Sequence, residues 1–214
     1  MNRLIAGELI KVRTTRTALG FAVASVLLVL ALVLISFLAG DPKSAADKRD
    51  ALNVGGVLSV PLLIYGIVGA TSEYRHRTIA PAVLIAPGRA RLTVARLIAY
   101  VLTALAVGAA MVAGGGLIVS VLTVALGVGV GVLVKNQVAG VVGALSWLFI
   151  LSPVLGLIDD SLPNYTTLPA AGVAGGGSGD SSAPSWGGAV LILVAWAAVF
   201  FAAGLLVERR RDVD

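Results

Sequence analysis

Leu97–Val134, LIAYVLTALAVGAAMVAGGGLIVSVLTVALGVGVGVLV, contains no charged residue. As one helix rising 1.5 Å per residue it would extend ~57 Å, nearly twice the ~30 Å hydrocarbon core of a bilayer. The run must therefore fold back on itself. Gly114-Gly115-Gly116 is the expected point of reversal, because glycine accepts the positive φ of a tight turn. The result is a hairpin of two short spans, about 92–113 and 117–134.

Apolar runs of similar length recur on both sides of this hairpin. On the N-terminal side they cover about 17–40 and 52–70, the second carrying Pro61, whose missing N–H tends to kink a span. On the C-terminal side they cover about 138–158, with a bend expected at Ser152-Pro153, and 187–207. The composition agrees: 58% hydrophobic and 13% charged residues, against roughly 25% charged in soluble domains, and a mean hydropathy of +0.99. The expected fold class is all-α, a single polytopic membrane domain with six transmembrane helices. Residues 159–186, rich in Pro, Gly, Ser and Ala, read as an outer loop with a short helix before Gly175, and Tyr165 and Trp186 as interface aromatics. The first run is too long for a cleaved signal peptide, whose apolar region has only 7–15 residues, and reads as a retained anchor. Before it, Ile5, Leu9 and Val12 recur at helical spacing while Arg3 and Lys11 point elsewhere. That pattern predicts an amphipathic helix lying in the headgroup region.

Charge placement gives orientation. With six spans, both ends fall on one side, and of the 16 Lys and Arg residues all but Lys43, Lys48 and Arg49 fall there too. The excess of basic loops marks the cytoplasmic side. Without the glycine hairpin, Lys135 and Arg209–Arg211 would face outward, so charge also favours the hairpin. The net charge of +5 is accounted for by topology, without a nucleic-acid partner.

Several chemistries are excluded or unsupported. The chain has no cysteine and one histidine, which excludes disulfides and leaves little for metal binding. Apart from Arg96, placed to snorkel to the cytoplasmic boundary, the apolar runs carry no ionisable group. Proton-coupled carriers need such groups near the midplane. No lysine follows a G-x-x-x-x-G-K-[ST] phosphate loop, so the chain has no ATPase site of that kind, no cofactor of its own and no enzymatic role. Gly176-Gly177-Ser178-Gly179 matches an intramembrane serine-protease pattern by accident, because the sole base, His76, is expected on the other side of the membrane. Gly127, Gly129 and Gly131 let helices approach closely, within one subunit or between two.

The densest internal charge cluster is Glu73-Tyr74-Arg75-His76-Arg77-Thr78, at the end of the second run. A surface flank whose arginines meet lipid phosphates would explain it alone. The neighbouring residues argue for more: the apolar piece Ile79–Ala86 is too short to cross, is bounded by Pro81 and Pro87-Gly88, and leads to Arg89, Arg91 and Arg96. A short element pinned at the surface between two spans is a natural lever for a soluble partner.

The order of three motifs resembles the ABC-2 type permeases, the membrane subunits of bacterial ATP-driven exporters. They are Glu8-Leu9-Ile10-Lys11-Val12-Arg13-Thr14-Thr15-Arg16 before the first span, Glu73–Ile79 after the second, and Glu208-Arg209-Arg210-Arg211-Asp212 after the last. The resemblance implies that residues 73–91 form a cytoplasmic coupling region between spans two and three, with Glu73, Arg75, His76, Arg77 and, more weakly, Glu8 meeting a separate ATP-binding cassette subunit. That subunit would bind ATP and Mg. The resemblance also implies a second permease copy or paralogue, a bacterial cell membrane, and an interfacial first helix. An uncharged path at the subunit interface suits an apolar or amphipathic cargo. The chain departs from the family at Gly114–Gly116, where members carry a longer connection, so this hairpin is compacted or the chain incomplete. The rival expectations are a membrane immunity or sensor protein that transports nothing, and a carrier not driven by ATP.

Overall fold

The structure, a computed structural model, describes residues 2–40, 55–76, 88–109, 114–177 and 182–210. Among them every regular element is helical: α1 Asn2–Thr14, α2 Arg16–Gly40, α3 Gly55–Arg75, α4 Arg89–Ala109, α5 Gly114–Val134, α6 Gln137–Ser146, α7 Ser152–Gly156, α8 Thr167–Ala174 and α9 Trp186–Arg210. A π-helical turn, Trp147–Leu151, joins α6 to α7, and a 3₁₀ turn covers Leu162–Tyr165. Among the described residues four helical stretches are long and apolar enough to cross a membrane: Gly56–Arg75, Gly116–Val134, Gln137–Gly156 and Trp186–Glu208. In α2 the apolar stretch Val23–Leu38 is shorter, and α4 carries three arginines in its first eight residues.

The centre of the molecule is α5, where Val119, Val124, Val128 and Val132 are wholly buried. Its glycines make this density accessible. A Cβ at Gly127 would overlap the Leu63 carbonyl oxygen and come within 3.0 Å of Gly66 Cα in α3, while one at Gly129 would lie 2.7 Å from Phe201 N in α9. The small-residue stripe thus brings three backbones together within one subunit, the role such stripes serve in membranes. Around it, Leu58, Leu62, Tyr65 and Ala104 complete one apolar cluster and Leu63, Ile67, Leu148 and Ala197 another.

Helices α4 and α5 run in opposite directions. A Cβ at Gly108, near the end of α4, would come within 2.9 Å of Leu117 Cα, near the start of α5, so the chain does fold back between them. The reversal is not at the glycines expected for it. Gly114–Gly116 are the first turn of α5, and residues 110–113 lie outside the described residues. Glycine permits a reversal but does not require one, and here the close approach of the two helices places helix at Gly114.

The next reversal is short. Lys135 takes a left-handed conformation, φ 56°, and Asn136 caps α6 by accepting the Ala139 N–H at 3.1 Å. Further on, Pro153 has no N–H to give, and the helix accommodates it with the wide π turn, in which the Ser152 N–H reaches back to the Trp147 carbonyl. The segment between α7 and α9 is largely structured where it is described. Ala170, Ala171 and Ala174 of α8 are wholly buried against Val119, Ala189 and Leu193. The Trp186 indole donates to the Ala174 carbonyl at 3.0 Å and Trp196 to the Tyr165 carbonyl at 2.9 Å. Ser152 and Thr166 pair through their hydroxyls at 2.6 Å. Gly176 turns the chain with φ 100°, and Ser178 lies outside the described residues.

Candidate functional site: a buried ionic double clamp

The chemistry-bearing residues collect at one end of the bundle, where α1, α3, α4, α5 and α9 meet. They form two nodes that share the ends of α3 and α4.

The first node joins α1, α3 and α4. Arg96 is 2% exposed, and its guanidinium donates to the Ala70 carbonyl at 3.0 Å and to Glu73 Oε2, with Glu8 Oε2 at 3.8 Å from Nε. Lys11 Nζ donates to Glu8 Oε1 and to Glu73 Oε1, both at 2.6 Å. Two carboxylates and two cations therefore close a neutral set, the condition under which buried charge is tolerated. Burial pulls the Lys11 ammonium down, and the hydrogen bonds to Glu73 and Glu8 outweigh it, leaving its pKa above the usual 10.5.

The second node joins α3, α4 and α9. Glu208, 4% exposed, accepts the Tyr74 hydroxyl at 2.8 Å on Oε1 and the Thr93 hydroxyl on Oε2. Lys135 Nζ stands 3.7 Å from the same carboxylate and 5.7 Å from the centre of the Tyr74 ring. Adjacent residues of α3, Glu73 and Tyr74, thus serve different nodes, as do Thr93 and Arg96 one turn apart on α4.

The five residues expected to meet a partner are separated by this geometry. Glu73 and Glu8 turn into the protein and are 8% and 5% exposed. Arg75 and His76 are exposed at the end of α3, with the Arg75 guanidinium donating to Gln137 Oε1 at 3.2 Å. Arg77 lies outside the described residues, as does most of the coupling region, 77–87.

Two expectations need correction. Arg96 does not snorkel, because two carboxylates and a carbonyl within the protein hold it inside. Nor does Lys11 point away from the packed face of α1: Glu73, across on α3, draws it inward. The face of α1 set against the protein consists of Glu8 and Val12, with Ile5 half-buried, in place of a purely apolar stripe.

Glu208, Thr93, Tyr74 and Lys135 were not anticipated as a site. A signal for part of it was present: Arg96 is the lone charge inside an apolar run, and an unpaired charge there demands a counter-ion. Which carboxylate would answer depends on helix packing, which spacing alone does not specify. No family model, curated protein or solved structure matches this chain.

Proposed function

We propose that the chain is the membrane subunit of an ATP-driven exporter of the ABC-2 type. In this reading six helices span a bacterial cell membrane, namely α2, α3, α4, α5, α6 with α7, and α9. Both termini are cytoplasmic and α1 lies at the interface. A separate ATP-binding cassette subunit, holding ATP and Mg, docks on the segment between α3 and α4, and a second permease copy or paralogue completes the path for an apolar or amphipathic cargo.

The observation that carries this reading is the double clamp. The segment 77–87 leaves from α3 and returns to α4, and both helix ends are tied by buried polar contacts to α1 on one side and α9 on the other. A push on that segment is therefore shared among four helices and is not absorbed by a single flexible end. Within this reading the contact residues are Arg75, His76 and Arg77, while Glu73 and Glu8 act from beneath as positioning residues.

The test is purification in mild detergent from the native host, followed by reconstitution. An ATPase subunit should co-purify, and the exposed pair Arg75→Glu/His76→Glu should lower permease-stimulated ATP hydrolysis while leaving membrane insertion intact. Repeated recovery of the chain alone would favour a sensor or immunity role. Unchanged stimulation in the double variant would remove the contact assignment.

A further inference from the structure

The helix α1 is inverted relative to an ordinary surface helix. Its inward face buries the carboxylate of Glu8 beside Val12, whereas Ile10 is 63% exposed on the opposite side. Arg3, Ala6, Arg13 and Thr14 are exposed along that same outward face. At 100° per residue, residues 3, 6, 10, 13 and 14 fall within one stripe, and residues 8 and 12 lie across the helix from it. An isoleucine set outward between two arginines gives that face an apolar side chain flanked by cations, the pattern of a helix that lies at a membrane surface.

The charge around this stripe is one-sided. Glu8, Glu73 and Glu208, the carboxylates described at this end, are all buried, and their charge is answered by Lys11, Arg96 and Lys135. Although Glu8, Lys11 and Arg13 alternate in sign along the sequence, packing sorts them, with the carboxylate inside and the arginine outside. The outward stripe therefore presents cations about 15 Å apart along the axis with an apolar side chain between them. This arrangement suits the boundary between anionic headgroups and acyl chains, where a helix gains from both terms.

We propose that the outward face of α1 binds the phosphate headgroups of anionic lipids, with Arg3 and Arg13 on the phosphates and Ile10 inserted between them. The proposal rests on the reading of α1 as an interfacial helix and is independent of which cargo or partner the chain serves.

The absence of cysteine makes a direct test available. The variant Ala6→Cys, labelled with an environment-sensitive fluorophore, is reconstituted into vesicles of phosphatidylcholine alone or of phosphatidylcholine mixed equally with phosphatidylglycerol. Quenching by the neutral reagent acrylamide is then read. The expected result is a blue shift and several-fold weaker quenching in the anionic vesicles, both diminished by high salt. Two arginines near such a surface carry roughly 30-fold in affinity, so Arg3→Gln/Arg13→Gln should abolish the difference. Arg3→Lys/Arg13→Lys should keep it. Equal quenching in the two compositions overturns the proposal, as does a difference that survives in the glutamine pair. Inorganic phosphate reproducing the shift on phosphatidylcholine vesicles would replace the lipid surface with a free-anion site and would also overturn it.

Discussion

Replacing Arg96 with methionine tests whether the first node is held by charge. The substitution preserves much of the aliphatic volume but removes the hydrogen bonds to the Ala70 carbonyl and to Glu73, and the cation 3.8 Å from Glu8. Two buried carboxylates then face a single half-exposed lysine. Removing one partner of a buried ion pair costs about 3–5 kcal/mol, because the remaining charge stays desolvated. For a chain of this size that corresponds to roughly 10 °C in unfolding midpoint. Adding Glu73→Gln removes the stranded charge and leaves Glu8 with Lys11, so the double variant should recover at least half of the loss. The assay is thermal unfolding of the purified protein in one detergent, followed by tryptophan fluorescence. A loss under about 1 kcal/mol for Arg96→Met would show that the node is not holding the fold. Losses that add in the double variant would show that Glu73 and Arg96 act independently.

Packing and protonation set the other expected outcomes. Gly127→Ala should destabilise by about 1–3 kcal/mol because its Cβ meets backbone in α3; Gly143→Ala, with nothing within 4 Å, should instead stabilise by up to about 1 kcal/mol from helix propensity. Melting both variants beside the parent checks the opposite signs. The Lys11 pKa is raised on folding, so its stabilising contribution is complete below 10.5 and fades as pH rises through the higher folded value. The gap in midpoint between parent and Lys11→Met should therefore stay constant from neutral pH to about 10.5 and close above it. Glu208→Ala should cost about 3 kcal/mol, since it leaves the Tyr74 and Thr93 hydroxyls without their buried acceptor. Denaturant titration measures that loss.

The apolar runs were legible because length and hydropathy suffice to mark a long apolar helix, and among the described residues each run is helical apart from the turn at Leu157-Ile158. The break within Leu97–Val134 was legible in existence, from the arithmetic of rise per residue, but not in position. The glycines that suggested a turn form the first turn of α5. The stretch from Glu73 was legible as a cluster of charge at a helix end. Its division into buried Glu73 and exposed Arg75 was not, because two residues apart on a helix means opposite sides, and which side faces inward is fixed only when α4 and α1 dock. Glu208 shows the same limit from the other direction: beside three arginines it reads as one more surface charge, yet its partners come from residues 74, 93 and 135.

The π turn at Trp147–Leu151 sets how the two ends of its helix are phased. A turn of this kind holds one residue more than an α-helical turn, which rotates everything beyond it by about 100° relative to an uninterrupted helix. The first end, capped by Asn136, and the second end, where Ser152 meets Thr166, are thereby aimed separately. Winding the turn into regular α-helix with all its residues kept would swing the Ser152 hydroxyl about a quarter turn away from Thr166, whereas deleting one residue between Trp147 and Leu151 would remove the surplus and leave Ser152 aimed at it. The local surplus of one residue thus works as a rotational adjustment that sets the angle between the face α6 presents to the bundle and the face on which Ser152 meets Thr166.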